Sequence, residues 1–253
     1  MRLESKAALI TGGTRGIGRA IAMKLSSEGA RVAVIGRSEE SGEEVAGAIE
    51  AKGGRCLPLS ADVTDYDSVS AAVREAHETF GSLDILVNNA GIGASEYFVK
   101  TDQDLWDRLI GVNYKGFLVS SHVTIPYMMA QEHGVIVSLG SDAGRVGTSG
   151  EVLYSGTKAA VMASSKALAR ELARYNIRVN CVSPGPVDTE LLAGLHGGEK
   201  GRKVQEAVTK MIPMKRIGQP EDVADVVCFF CTDEARYLTG QVLSVDGGLT
   251  MIG

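Results

Sequence analysis

Short runs rich in Val, Ile and Leu alternate along the whole chain with longer stretches in which apolar residues recur every three or four positions. The short runs predict strands near Ala7–Ile10, Arg31–Ile35, Arg55–Leu59, Ile85–Val87, Val135–Ser138, Arg178–Val182 and Val242–Val245. The longer stretches predict helices near Ile17–Glu28, Ser38–Lys52, Asp65–Phe80, Leu105–Met129, Val152–Tyr175, Glu199–Met211 and Pro220–Cys231. Strands that are apolar on both faces are those of a parallel sheet covered by crossover helices on either side. The expected fold is therefore α/β, a single doubly wound domain over residues 1–253 with a seven-stranded parallel sheet. No proline-rich linker or low-complexity tract divides it.

One segment differs in texture. Between Val187 and Ile212, Gly194, Gly197, Gly198 and Gly201 stand close to Lys200, Arg202 and Lys203. Coming after a strand end, such a stretch is expected to form a lid over a ligand site, with an ordinary surface loop and helix as the alternative.

Composition narrows the function classes. A chain of 253 residues with 44% apolar residues can bury a substantial core without disulfides or metals. Its formal net charge of -5 offers no broad attraction to nucleic acid or to anionic membranes. The polar start, Met1 to Lys6, leads into only a short apolar run, so neither a signal peptide nor a spanning helix is expected, and a cytoplasmic location follows. Cys56, Cys181, Cys228 and Cys231 make no disulfide framework. The C-x-x-C of Cys228 and Cys231 falls inside an apolar helix and reads as buried and inert. His77, His122, His133 and His196 have no metal-ligand spacing, so no metal is expected.

The first chemically suggestive feature is Thr11-Gly12-Gly13-Thr14-Arg15-Gly16-Ile17-Gly18, between the first strand and the first helix. Glycines there let the backbone turn tightly and approach a ligand, while the helix start faces a pyrophosphate. Gly12, Thr14, Arg15, Gly16, Ile17 and Gly18 are thus candidate dinucleotide-binding residues. At the end of the second strand, where a site for NAD would place a carboxylate against the ribose hydroxyls, the chain reads Ile35-Gly36-Arg37-Ser38. Arg37, helped by Arg15, can meet a 2′-phosphate instead, so NADP(H) is the preferred cofactor and NAD(H) the alternative.

Tyr154 and Lys158 lie four residues apart, on one face of a predicted helix. A lysine cation and a positive nicotinamide ring are expected to lower the phenol toward working pH, so that Tyr154 can exchange a proton with a substrate oxygen. Ser141, just past a strand end, can hold that oxygen.

Taken together these motifs resemble the short-chain dehydrogenase/reductase family over essentially the whole length. They are Thr11–Gly18, Asp62-Val63, Asn88-Asn89-Ala90-Gly91, Asn113, Ser141, Tyr154 with Lys158, Pro184-Gly185 and Asp246-Gly247-Gly248. The resemblance implies a Rossmann-type fold, hydride transfer between a ketone and a secondary alcohol, and a homotetramer assembled through the long central helices and the C-terminus. It implies that Asp62 and Val63 flank adenine, and that Asn89, Ala90 and Gly91 lie beside the cofactor. Asn113 would hold a water in a proton relay through Lys158, which would also grip the nicotinamide ribose. Val187 and Thr189, after Pro184-Gly185, would bind the carboxamide.

Two narrower likenesses stand beside each other. Ser141-Asp142-Ala143-Gly144-Arg145-Val146-Gly147 and Thr239–Val245 are similar to bacterial 2-hydroxycyclohexanecarboxyl-CoA dehydrogenases, which look NAD-dependent. The other near relatives are the 3-oxoacyl carrier-protein reductases. Those tend to present arginines to the acidic carrier where this chain has Glu132 and Tyr175, although Arg174 and Arg178 lie close by. A silent dinucleotide sensor on the same fold is the rival from another class. Tyr97, Phe98, Leu153, Leu191, Leu192 and Leu195 suit an acyl, cyclic or terpenoid ketone.

Overall fold

The computed structural model describes residues 1–195 and 198–252, with the backbone alone for residues 194, 195 and 198–204. Seven strands form one sheet: β1 (Ala7–Thr11), β2 (Arg31–Gly36), β3 (Arg55–Ser60), β4 (Ile85–Asn88), β5 (Gly134–Leu139), β6 (Ile177–Pro184) and β7 (Val242–Val245). All are parallel, in the order β3-β2-β1-β4-β5-β6-β7. The order reverses between β1 and β4, and the loops leaving those strands diverge to open a crevice at their carboxyl ends.

Strand alternation divides the core. Ala8, Ile10, Val32 and Val34 face one layer, packed by α1 (Gly16–Ser27), α2 (Glu39–Glu50) and α10 (Pro220–Cys231). Ala7, Leu9, Ala33 and Ile35 face the other, packed by α3 (Tyr66–Phe80), α5 (Gly116–Gln131) and α7 (Val152–Leu172). Asp65 caps α3 by accepting from the backbone N–H groups of Asp67 and Ser68, and Gly81 closes it in the left-handed conformation.

Two departures from the predicted elements matter for the site. The helix expected over Leu105–Met129 is three pieces: α4 (Gln103–Ile110), a π-helical turn at Gly111–Lys115, and α5. A short helix, α6 (Asp142–Val146), follows β5 where a loop was expected. After β6 come α8 (Glu190–Leu195) and α9 (Gly198–Met211). His196 and Gly197 lie outside the described residues, as do the side chains of Leu195, Lys200, Arg202 and Lys203, so that part of the lid expectation lies outside them too.

Cys228 and Cys231 are buried in α10 as free thiols, both pushed up chiefly by burial. Among the described residues no helix is long and apolar enough to cross a membrane, and no cluster of three or more acidic, Cys or His side chains is arranged to hold a metal.

Candidate active site

The glycine turn is a cradle that side chains would fill. Gly12 and Gly16 have positive φ, 63° and 50°. A Cβ at Gly18 would stand 2.0 Å from the Gly12 carbonyl oxygen, so α1 starts where only glycine lets the turn fold back on itself. Asn89 locks this approach from β4: its Nδ2 donates to the carbonyls of Thr11 (3.0 Å) and Gly12 (2.8 Å). The Thr11 hydroxyl in turn accepts from the N–H groups of Asn89 and Ala90. Arg15 is the N-cap of α1 and its side chain caps nothing, which leaves the first-turn N–H groups facing the crevice. These features fit a dinucleotide pyrophosphate.

Arg37 is exposed directly after β2, and its charge helps hold Asp62 low, after the larger effect of the backbone and hydroxyl bonds from Thr64. Gly36 faces the turn so closely that a Cβ there would lie 2.6 Å from Thr14 Cγ2. Arg15 differs from expectation: its guanidinium pairs with Glu190, at the start of α8, at 3.1 Å. Val63 is buried, and its side chain lies where a Cβ on Gly116 would fall. Gly185, after Pro184 at the end of β6, abuts Asp246. Val187 is buried, and Thr189 Cγ2 lies over Gly16, 3.6 Å from where a Cβ would be.

The catalytic candidates converge beside this cradle. Ser141 lies just past the end of β5 and caps α6, its hydroxyl accepting from Ala143 N–H at 3.2 Å. Tyr154 stands in the first turn of α7, half-buried. Burial pushes its phenol up to about 12, against a bond from Ser141 that draws it down, while Glu151 raises it further. The lowering expected from Lys158 is therefore absent in the protein's own groups, because desolvation of the phenolate outweighs them. Lys158 Nζ lies 5.9 Å from the Tyr154 ring centroid and donates to the Leu139 carbonyl at 2.9 Å. Buried without a carboxylate partner, it is drawn down to about 8.

Asn113 sits in the π-helical turn, a departure from regular helix common at functional sites. Its Oδ1 accepts from Ile92 N–H (2.8 Å), and its Nδ2 donates to the Ile92 carbonyl (2.9 Å) and Thr157 Oγ1 (3.2 Å). Both ends of the amide are thus engaged in holding the loop after β4 against α7. A Cβ on Gly91 would come within 3.3 Å of Lys158 Nζ and 3.4 Å of Asn113 Oδ1, so these three residues share one small space. Sequence reasoning missed Thr157, which supports Asn113, and Glu151, whose carboxyl is raised by burial beside Tyr154. Both flank the Tyr154–Lys158 pair, and that proximity was the available signal.

Comparison with known proteins agrees with this geometry. A family model described as enoyl-(acyl carrier protein) reductase matches residues 12–250. The 3-oxoacyl-(acyl-carrier-protein) reductase of Thermotoga maritima is 39% identical over 99% of this chain and 100% of that one. The chain belongs to the short-chain dehydrogenase/reductase family. The Staphylococcus aureus 3-oxoacyl-(acyl-carrier-protein) reductase is 40% identical over 98% of this chain and 99% of its own. The crystal structure of gox2181 superposes with a TM-score of 0.94 at 33% identity, covering 98% of this chain and 96% of that one. As a short-chain dehydrogenase/reductase the protein is an oxidoreductase that uses a nicotinamide dinucleotide. The seven-stranded, doubly wound fold expected from the sequence is the fold observed.

Proposed function

We propose that the protein is an NADP(H)-preferring reductase that converts the ketone of a 3-oxoacyl thioester to a secondary alcohol, with Tyr154 as general acid. The observation that carries the reading is the meeting of Ser141, Tyr154, Lys158 and Asn113 at the carboxyl ends of the central strands, next to the glycine cradle. When bound, the dinucleotide supplies or accepts the hydride. Gly12, Thr14, Arg15, Gly16, Ile17, Gly18, Arg37, Asp62, Val63, Asn89, Ala90, Gly91, Val187 and Thr189 would hold it.

The chain's own groups favour reduction. A phenol raised to about 12 is protonated at neutral pH and so holds the proton that a reduced carbonyl oxygen must receive, and beside a bound nicotinamide cation it would return toward the range in which it gives that proton up readily. Ser141 accepts from a backbone N–H and gives its own proton to Tyr154, so its hydroxyl lies beside the phenol and can turn that proton to a substrate oxygen placed between them. Lys158, drawn to about 8, can gain and lose a proton near neutrality and so reprotonate Tyr154. Next to Tyr154, Ala94, Phe98, Leu105, Leu109 and Leu153 line a recess of about 10 Å³ shared with Glu96 and Glu151, which would have to open to admit an acyl chain.

A thioester of phosphopantetheine is common to coenzyme A and carrier proteins, and the relatives named above are carrier-protein reductases. A homotetramer belongs to the same reading, supported by an apolar groove of about 700 Å³ between α5 and α7 lined in part by Phe117, Leu118, Ile125, Met129 and Leu168. A monomeric mass by light scattering would remove that assignment. A cytoplasmic location is part of the proposal as well.

Tyr154→Phe tests the chemistry. With NADPH and acetoacetyl-CoA, and separately an acetoacetyl carrier protein, kcat should fall by about 100- to 10,000-fold while NADPH binding persists. A kcat near the parent value would refute the role of Tyr154. A parent that binds NADPH and reduces neither thioester, nor a panel of other ketones, would favour the silent sensor.

A further inference from the structure

We propose that Asp142 is a positioning residue for Ser141, its carboxyl sharing one proton with Asp246 and so tying the helix that Ser141 caps to the turn after β7. The inference rests on the reading of Ser141 as the anchor of the substrate oxygen. Asp142 is the first residue of α6, only 4% exposed, and immediately follows the serine. Its Oδ1 accepts from Ser244 Oγ, on β7, at 2.6 Å. Its Oδ2 is completely buried, with no donor among the ordinary hydrogen bonds of the described residues. The Asp246 carboxyl interacts with Asp142, and the Ser183 hydroxyl of β6, buried and likewise without an ordinary partner among the described residues, lies nearby. Asp246 is the acceptor for the N–H groups of Gly248 and Thr250.

Two carboxyls that meet, one of them buried, form a hydrogen bond only if one carries a proton, because two carboxylates would repel and offer no donor. Charge balance points the same way. Arg145, one turn along α6, donates to Ser244 Oγ at 3.0 Å and to the Val242 carbonyl. One arginine, one carboxylate and one carboxylic acid make a neutral cluster, whereas two carboxylates would leave a net charge at the buried Asp142. Asp246 carries the better hydrogen-bonded, more exposed carboxyl, so the proton resides on Asp142, in line with burial as the main cause raising it.

Lys158 on α7 is bound to the Leu139 carbonyl, and the Cys181 thiol on β6 is pushed up to about 12 by burial. Arg145 also reaches the Ile252 carbonyl, which joins the C-terminal residues to the same cluster.

The test compares Asp142→Asn, whose amide can donate permanently to Asp246, with Asp142→Leu, which cannot. Turnover of acetoacetyl-CoA with NADPH is measured from pH 5 to 9. In parallel, the Cζ resonance of Tyr154 in protein carrying ¹³C-labelled tyrosine reports the bond from Ser141 without any substrate. Asp142→Asn should keep kcat near the parent, and its kcat and stability should lose the decline with rising pH that deprotonation of a raised carboxyl imposes between the ordinary aspartate value and the folded one. Asp142→Leu, still folded by circular dichroism, should lose about 10- to 100-fold in kcat with KM for NADPH unchanged, as misplacement of a reacting group does. Its Tyr154 resonance should shift.

A folded Asp142→Leu with parental kcat and an unmoved Tyr154 resonance would overturn the proposal. So would ¹³C-carboxyl spectra showing Asp142 and Asp246 titrating independently at ordinary values. If the parent fails to reduce acetoacetyl-CoA, the substrate reading falls alone, since the tyrosine and carboxyl spectra still decide this one.

Discussion

Replacing Arg37 with alanine turns cofactor choice into a number. Arg37 follows the last residue of β2, beside the turn that holds Thr14, and it is exposed, with Asp62 close enough to feel its charge. A hydrogen bond to a charged group contributes about 1.5–3 kcal/mol, or roughly tenfold to hundredfold in affinity. Exposure and screening place Arg37 at the lower end, so about tenfold is expected. Arg15 is held by Glu190 and should contribute less. The assay is the ratio of the NADH to the NADPH dissociation constant by cofactor fluorescence, which needs no substrate. In Arg37→Ala the ratio should collapse by about tenfold, almost wholly through NADPH. In the parent it should shrink as salt is raised, since the Debye length is about 10 Å at 0.1 M. Installing the missing carboxylate requires more care. A Cβ at position 36 meets Thr14 Cγ2 at 2.6 Å, so Gly36→Asp needs Thr14→Ala beside it to leave the turn in place. A parent that binds NADH more tightly than NADPH, or an Arg37→Ala ratio equal to the parent's, would refute the reasoning and revive the likeness to NAD-dependent coenzyme A thioester dehydrogenases.

Other outcomes follow from the same geometry. Gly18→Ala should lower the melting temperature by an amount matching about 1–3 kcal/mol and abolish NADPH binding, because its Cβ meets the backbone carbonyl of Gly12 and an Asn89 Nδ2 that is itself tied to the turn; undiminished binding by calorimetry would contradict this. If residues 187–212 close over the substrate, hydrogen exchange there should slow locally when NADPH and a thioester are added, and equal exchange in both states leaves the surface-loop reading.

The five central strands were legible because burial on both faces makes them nearly unbroken apolar runs, the edge strands β3 and β7 showed through shorter apolar stretches, and β1 through β7 lie within a few residues of where the pattern put them. The broken helix around Asn113 was not, since α5 is apolar around most of its circumference and the change of phase at the π turn leaves little trace in its sequence. Gly111 and Gly116, bracketing the turn, were the faint signal. Nor was α6 legible: five residues hold too little periodicity, and only Ser141 as an N-cap marked it. Tyr154, Lys158 and Ser141 could be named from spacing and strand ends, but their electrostatics could not. Whether a phenol is raised or lowered depends on what surrounds it in three dimensions, and here burial decides. The facing of Asp142 and Asp246 arises from the pairing of β6 with β7, which local sequence does not encode.

The π-helical turn at Gly111–Lys115 also sets a phase. Each residue added to or removed from a helix rotates everything beyond it by about 100°. Deleting one residue there would restore a regular helix and turn α5 about its own axis, swinging Val119 and Met128 off the sheet and the groove-lining Leu118 and Ile125 toward new neighbours. One inserted peptide unit thus indexes two surfaces at once, the wall that receives Asn113 and the outer face of α5. A length change at this point cannot alter one without re-dialling the other.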